Sequence, residues 1–305
     1  TYSGIRVPTL LRNSPVFRAF QDIVAMYSLP SYGEIDPSPI VAISFILFFG
    51  FMFGDIGHGL MIYIASIFLV KRGVMKRSFG QVMKSASISS MVFGALYGSI
   101  FGLENIIPAL WLSPMLDTNR LLIIAICLGV FMISLGLILN MIQQYRNRDF
   151  GRLLFDGQGL AGLFLYWPMA ALAAIYMTGT EISEIAANIM WGGIGLMMLL
   201  MVFRDVLARC LLHQKEHGES VVLNIFEIMH NLMSFVSNTA SFVRLAAFAL
   251  NHVGLSMAVI MLSEMVHSLP GGIVMKGIIL LVGNIVIVCL EGLIVFIQTL
   301  RLEYY

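Results

Sequence analysis

Charge is scarce in this sequence. Only 11% of its 305 residues are Asp, Glu, Lys or Arg, less than half the share in an ordinary soluble domain. The formal net charge is +1, so no excess of one sign points to nucleic acid. Cysteine is rarer still. Cys127, Cys210 and Cys289 lie far apart, each in or beside an apolar run. That is neither a disulfide framework nor a metal-ligand spacing, and they read as small apolar fillers. The sequence has no phosphate-binding loop, no nucleophile–base pair and no cysteine/histidine ligand spacing, so an enzyme with covalent chemistry of its own is not expected, nor a cofactor. A signal-peptide pattern is also missing, and the first residue is Thr1 rather than Met, which reads as part of a longer protein.

What is abundant is apolar. Hydrophobic residues make up 59% of the chain, and the mean hydropathy is +0.90. Apolar runs cover 39–54, 55–70, 85–102, 121–143, 158–178, 185–208, 222–262 and 273–302. Several exceed the ~20 residues that cross a bilayer as a helix. They are continuous, unlike the ~10-residue alternating segments of a membrane β-barrel. The expected class is therefore an all-α polytopic membrane protein in the lipid bilayer, with about eight transmembrane helices. The first two runs adjoin, and together they are too long for one upright span. Gly50, Gly54, Gly57 and Gly59 surround Asp55 and His58, which predicts a break there. The last two runs carry no comparable mark and predict long, tilted helices.

The basic residues sort by side. With eight spans, fourteen of the 18 Lys and Arg fall in the N-terminal tail and the loops at 71–84, 144–157 and 204–221; only Arg120 and Lys276 fall opposite, with Glu104, Asp117, Glu181, Glu184 and Glu264. The positive-inside rule makes the first group cytoplasmic, with both termini. The two basic residues left over, Arg244 and Arg301, lie inside the last two runs.

An arginine at the centre of a membrane helix costs ~2.5–3.5 kcal/mol on insertion scales, so Arg244 needs a reason. Glu227, His230, Asn231, Ser234, Ser237, Asn238, Ser241, Arg244, Asn251 and His252 recur at steps of three and four. They form one polar stripe on a helix otherwise built of Leu, Phe, Val, Ala and Met. Such a stripe faces water or a partner. In the last run Asn284, Glu291 and Gln298 are seven apart, with Arg301 three further on. Blander roles exist for each: a structural ion pair of Arg244 with Glu227 or Glu291, a snorkelling Arg301, and interhelical hydrogen bonds for His230 and His252. Asp55 and His58 either cap and pair locally or line a water path. Gly94, Gly98 and Gly102 repeat every fourth residue and read as a close-packing helix face.

Three stretches carry a resemblance. FFGFMFGDIGHGL (48–60), SFVRLAAFALNHVGLS (241–256) and EGLIVFIQTLRLEYY (291–305) resemble the membrane domain of the V/A-type ATPase stator subunit, called a in eukaryotes and I in prokaryotes. VPTLLRN and LPSYGEIDPSP resemble the prokaryotic branch, where they lead from a soluble arm into the membrane. On this resemblance 1–38 is a cytoplasmic lead-in and 39–305 the transmembrane domain, with 222–305 an ion-translocating helix pair. The resemblance implies a rotary pump in a prokaryotic plasma membrane. Two half-channels for H⁺ or Na⁺ would open against a proteolipid c-ring, with central-stalk and peripheral-stalk subunits as further partners. The family arginines map to Arg244 and Arg301, its histidine to His252, its glutamate to Glu291, and the prokaryotic glutamine to Gln298. Asn251 stands where Ala is common and Phe242 where Tyr is common. A self-contained secondary transporter is the alternative. It calls for internal repeats, and the polar stripe of 222–262 has no counterpart in the first half. A purely structural membrane anchor leaves Arg244 unexplained.

Overall fold

The computed structural model describes residues 14–27, 36–103, 108–148, 150–178, 183–204, 221–266 and 272–304. Arg6, Arg12, Glu104, Glu181, Arg209, Cys210 and Lys215, the VPTLLRN stretch and most of LPSYGEIDPSP lie outside the described residues. Among those described, the regular elements are helical apart from an isolated bridge between Ile100 and Leu103. Five helical stretches are long and apolar enough to cross a membrane, and two shorter apolar helices, Ser38–Met52 and Ile56–Lys71, precede them. This is an all-α membrane protein.

The described chain falls into two compact units. One holds 14–125 and 242–304, the other 126–241. The first contains α1 (Pro15–Tyr27), α2 (Ser38–Met52), α3 (Ile56–Lys71) and α4 (Arg77–Tyr97), then returns through α10 (Val243–Met265), α11 (Gly272–Val286) and α12 (Gly292–Glu303). In α1, Ala19, Phe20, Ile23 and Val24 form a buried stripe at helical spacing. It meets an aromatic core: Phe45 contacts Phe20 at 5.8 Å and Phe296 at 5.3 Å between ring centroids, and Phe48 contacts Phe242 at 5.7 Å. These edge-on arrangements are the favoured aromatic geometry.

The second unit holds most of α5 (Thr118–Arg146), with α6 (Phe150–Phe155), α7 (Leu160–Thr178), α8 (Glu184–Val202) and α9 (Val221–Ser241). Its core joins Leu165, Tyr166, Ile228 and Phe235. The Tyr166 hydroxyl meets Thr239 Oγ1 at 2.9 Å, which satisfies a phenol that burial would otherwise strand. In both units large apolar side chains such as Phe131, Trp191, Leu281 and Leu293 are exposed, as expected of surfaces that meet lipid instead of water.

The predicted break at Asp55 is present. Helix α2 ends at Met52, and the Asp55 carboxylate caps α3 by accepting the His58 N–H at 2.9 Å. The two long runs are borne out as helical stretches of 44 and 32 residues, Val222–Met265 and Gly272–Glu303. Phe242, itself in αR backbone, marks a single turn between α9 and α10, and the second stretch carries a π turn, Ile287–Glu291. Two expectations need correction. The glycine repeat is not a helix face throughout. Gly94 packs so closely on the Asp55–Ile56 backbone that a Cβ would collide with it, but α4 ends at Tyr97. Gly98 and Gly102 then take φ of +74°, where glycine alone is unstrained. Cys127 and Cys289 are exposed rather than packed fillers.

Candidate functional site

The first unit gathers its buried polar residues around the break at Asp55. Asp55 and His58 are 0% exposed, His252 1% and Glu291 2%. The Asp55 carboxylate accepts from four donors. Oδ1 takes the N–H groups of His58 (2.9 Å) and Phe101 (3.0 Å); Oδ2 takes Gly102 N–H (2.8 Å) and Ser99 Oγ–H (2.7 Å). The turn after α4 thus wraps the carboxylate. It does so with Phe101 at φ +49°, a left-handed conformation that L residues seldom adopt. Four donors, two on each oxygen, match the acceptor capacity of a carboxylate.

Two histidines face each other beside this carboxylate. Their ring centroids are 5.1 Å apart and the rings nearly perpendicular. Phe53 lies 4.6 Å from His252, and Phe101 lies 5.5 Å from His58. Hydrogen bonds on the far side of each ring fix its tautomer. Asn284 Nδ2 donates to Leu280 O at 2.8 Å, so its Oδ1 accepts from His58 Nε2–H, also at 2.8 Å. His252 Nδ1–H donates to Glu291 Oε2 at 2.8 Å, and Asn251 Nδ2 donates to Glu291 Oε1 at 3.3 Å. Glu291 is thereby held by two consecutive residues of the antiparallel helix. It ends the π turn, a feature frequent at functional sites. The wider winding disturbs the seven-residue register between Asn284 and Glu291, yet both side chains turn inward, one to His58 and one to His252.

Arg244 is half-buried in the first turn of α10, eight residues before His252; Gln298 is half-buried and Arg301 exposed on α12. The remaining stripe residues lie in the second unit and behave differently. Glu227 is in an ion pair with Arg204 (3.1 Å), which also reaches Asp156 (3.2 Å). Arg204, expected as a loop charge, is 15% exposed in that triad. Asn231 is buried against Gly157, His230 is exposed, and Asn238 donates to Ser234 Oγ at 3.3 Å. Ser241 is half-buried at the end of α9. Of the sequence-predicted site residues, the structure therefore brings together Asp55, His58, Asn251, His252 and Glu291, and gives Glu227 a separate partner. Sequence reasoning missed Glu303. Its buried carboxylate accepts from Ser44 Oγ at 2.8 Å, a partner 259 residues earlier that no motif marks. Asp117 pairs with exposed Arg120 at 3.5 Å, as a solvated loop charge does.

Residues 3–101 match the model of the V-type ATPase 116kDa subunit family. Among curated proteins, the chain is 29% identical to A-type ATP synthase subunit I of Pyrococcus horikoshii and 30% identical to that of Pyrococcus abyssi. Each match covers 98% of this chain and 44% of the relative. The subunit I of Methanocaldococcus jannaschii is 26% identical over 98% of the chain and 46% of its own length. The chain spans less than half the length of these relatives.

Proposed function

Because this chain belongs to the V-type ATPase 116kDa subunit family, we propose that it is the membrane half of the stator of a rotary V/A-type ATPase, passing H⁺ or Na⁺ along a rotating proteolipid ring. The observation that carries this is the Glu291 site: a carboxylate 2% exposed, held by His252 and Asn251, on a helix pair that also bears Arg244 and Arg301. A ring carboxylate crosses lipid only when its charge is neutralised. A fixed guanidinium beside it favours the ionised form and strips its cargo. Arginine suits the task because it stays charged in any surroundings. It also separates the two aqueous half-channels. Asn251, His252 and Glu291 serve the external one. Asn238 and Ser241, which precede Arg244 in the chain, serve the cytoplasmic one, with Gln298 and Arg301 at the same end of the last helix. Glu227 acts through its ion pair with Arg204. Eight membrane crossings in a prokaryotic plasma membrane, with cytoplasmic termini, complete the assignment. The c-ring and the central and peripheral stalks are the partners.

Glu291→Gln is expected to slow coupled transport while leaving the complex assembled. Glutamine is isosteric and can still accept from His252, but it cannot exchange a proton or attract a cation. Wild-type flux in reconstituted vesicles contradicts the role of this residue. The orientation is tested separately. Lys76 and Arg148 are both exposed, and cysteines placed there should react only with reagent added from the cytoplasmic side. Labelling of both from outside reverses the topology.

A further inference from the structure

We propose that Asp55, His58 and His252 form a transition-metal site of the kind that takes Zn²⁺ or Cu²⁺. One donor atom from each lies within 4.8 Å of the others, and all three residues are buried. Among the described residues, His58 Nδ1 and His252 Nε2 have no hydrogen-bond partner, although a buried polar atom left unsatisfied is costly. These are the two ring nitrogens that face the cluster. The tautomers explain why they are suited to a metal. With Nε2–H of His58 donated to Asn284 and Nδ1–H of His252 donated to Glu291, each inner nitrogen keeps its lone pair. Histidine ligands in metal sites are held this way, their outer N–H fixed by an oxygen acceptor that orients the ring and raises its basicity.

Charge and ligand type agree. His58 Nδ1 stands 3.2 Å from Asp55 Oδ1, so a lone pair faces a carboxylate unless a cation intervenes. The two oxygens of Asp55 already accept four hydrogen bonds, so Asp55 contributes charge and ligates only by giving up one of the bonds at Oδ1, the oxygen nearest His58 Nδ1. That leaves two imidazoles and one carboxylate, with a fourth position open to water, a donor set that selects borderline transition metals over Na⁺, Mg²⁺ or Ca²⁺. Metal–nitrogen bonds of ~2.0–2.1 Å place tetrahedral donors ~3.4 Å apart, so binding draws the set inward by about an ångström. Such an ion ties the α2–α3 break to α10. On the half-channel reading above, it also immobilises His252 and stops exchange at Glu291; the binding itself does not depend on that reading.

The test is Cu²⁺ titration of the purified complex, read by electron paramagnetic resonance. The double variant His58→Gln/His252→Gln supplies the background from other histidines. The expected result is a signal present only in the wild type, with splitting from two imidazole nitrogens. Each single variant should retain one nitrogen. Glu291→Gln should keep both nitrogens and weaken affinity ~10–100-fold, the usual effect of losing an outer-sphere partner. A wild-type spectrum identical to the double-variant background overturns the site. Zn²⁺ inhibition of flux is measured in parallel. A two-nitrogen signal with unaffected flux supports the metal site and counts against the half-channel reading.

Discussion

Arg244→Ala is expected to abolish ATP-driven ion transport in a complex that still assembles. On the proposed function, the guanidinium forces a ring carboxylate to give up its ion as it passes α10 and separates the half-channels, so its removal takes away both. Arg244→Lys should fail almost as completely. An ammonium is compact, strongly hydrated and more easily deprotonated when buried, so it reproduces neither the reach nor the permanent charge. Arg301 is exposed where Arg244 is half-buried, and Arg301→Ala should therefore be milder. The rival explanation is a structural ion pair of Arg244 with Glu227 or Glu291. Glu227 is engaged by Arg204, and Glu291 by His252 and Asn251. An ion pair predicts impaired assembly in Arg244→Ala and rescue when the partner carboxylate is removed as well. Assembly and flux measured separately in single and double variants distinguish the two.

Asp55→Ala should have the largest effect on stability. The carboxylate satisfies three backbone N–H groups and one hydroxyl, two of the four bonds fully buried and two part-buried. Its removal strands those donors and takes away the acceptor of the Phe101 N–H, a residue in left-handed backbone. Leaving a buried donor unsatisfied costs ~1–3 kcal/mol. Asp55→Asn should cost less, because an amide oxygen still accepts but cannot serve four donors. Thermal unfolding in detergent checks both. A midpoint unchanged in Asp55→Ala contradicts the capping role.

What the sequence made legible was local or periodic. The Gly-rich surroundings of Asp55 predicted a break because glycine and an N-capping carboxylate act within a few residues. The antiparallel order of the last helices sets Glu291 at the level of Asn251 and His252, and the structure joins the three by hydrogen bonds. The single turn at Phe242 was not legible, since neither proline nor glycine marks it. The π turn at Ile287–Glu291 sits in an uninterrupted apolar run, where extra winding leaves no trace in composition. The approach of His58 to His252 depends on packing between helices distant in sequence, so no ligand spacing could reveal it. Glu227 looked like the start of an ion path because periodicity reports which face a residue occupies. It does not report that Arg204 waits there.

The central claim is that ions are exchanged where α10 meets a rotating ring. The most direct measurement is a cross-link. Ala247 is exposed and lies three residues beyond Arg244, on the same side of the helix. In the complete complex, Ala247→Cys should form a disulfide with a cysteine placed one turn from the carboxylate of a small proteolipid, and flux should stop until the bond is reduced. An assembled complex in which no proteolipid can be captured from this position, with flux indifferent to oxidant, contradicts the account.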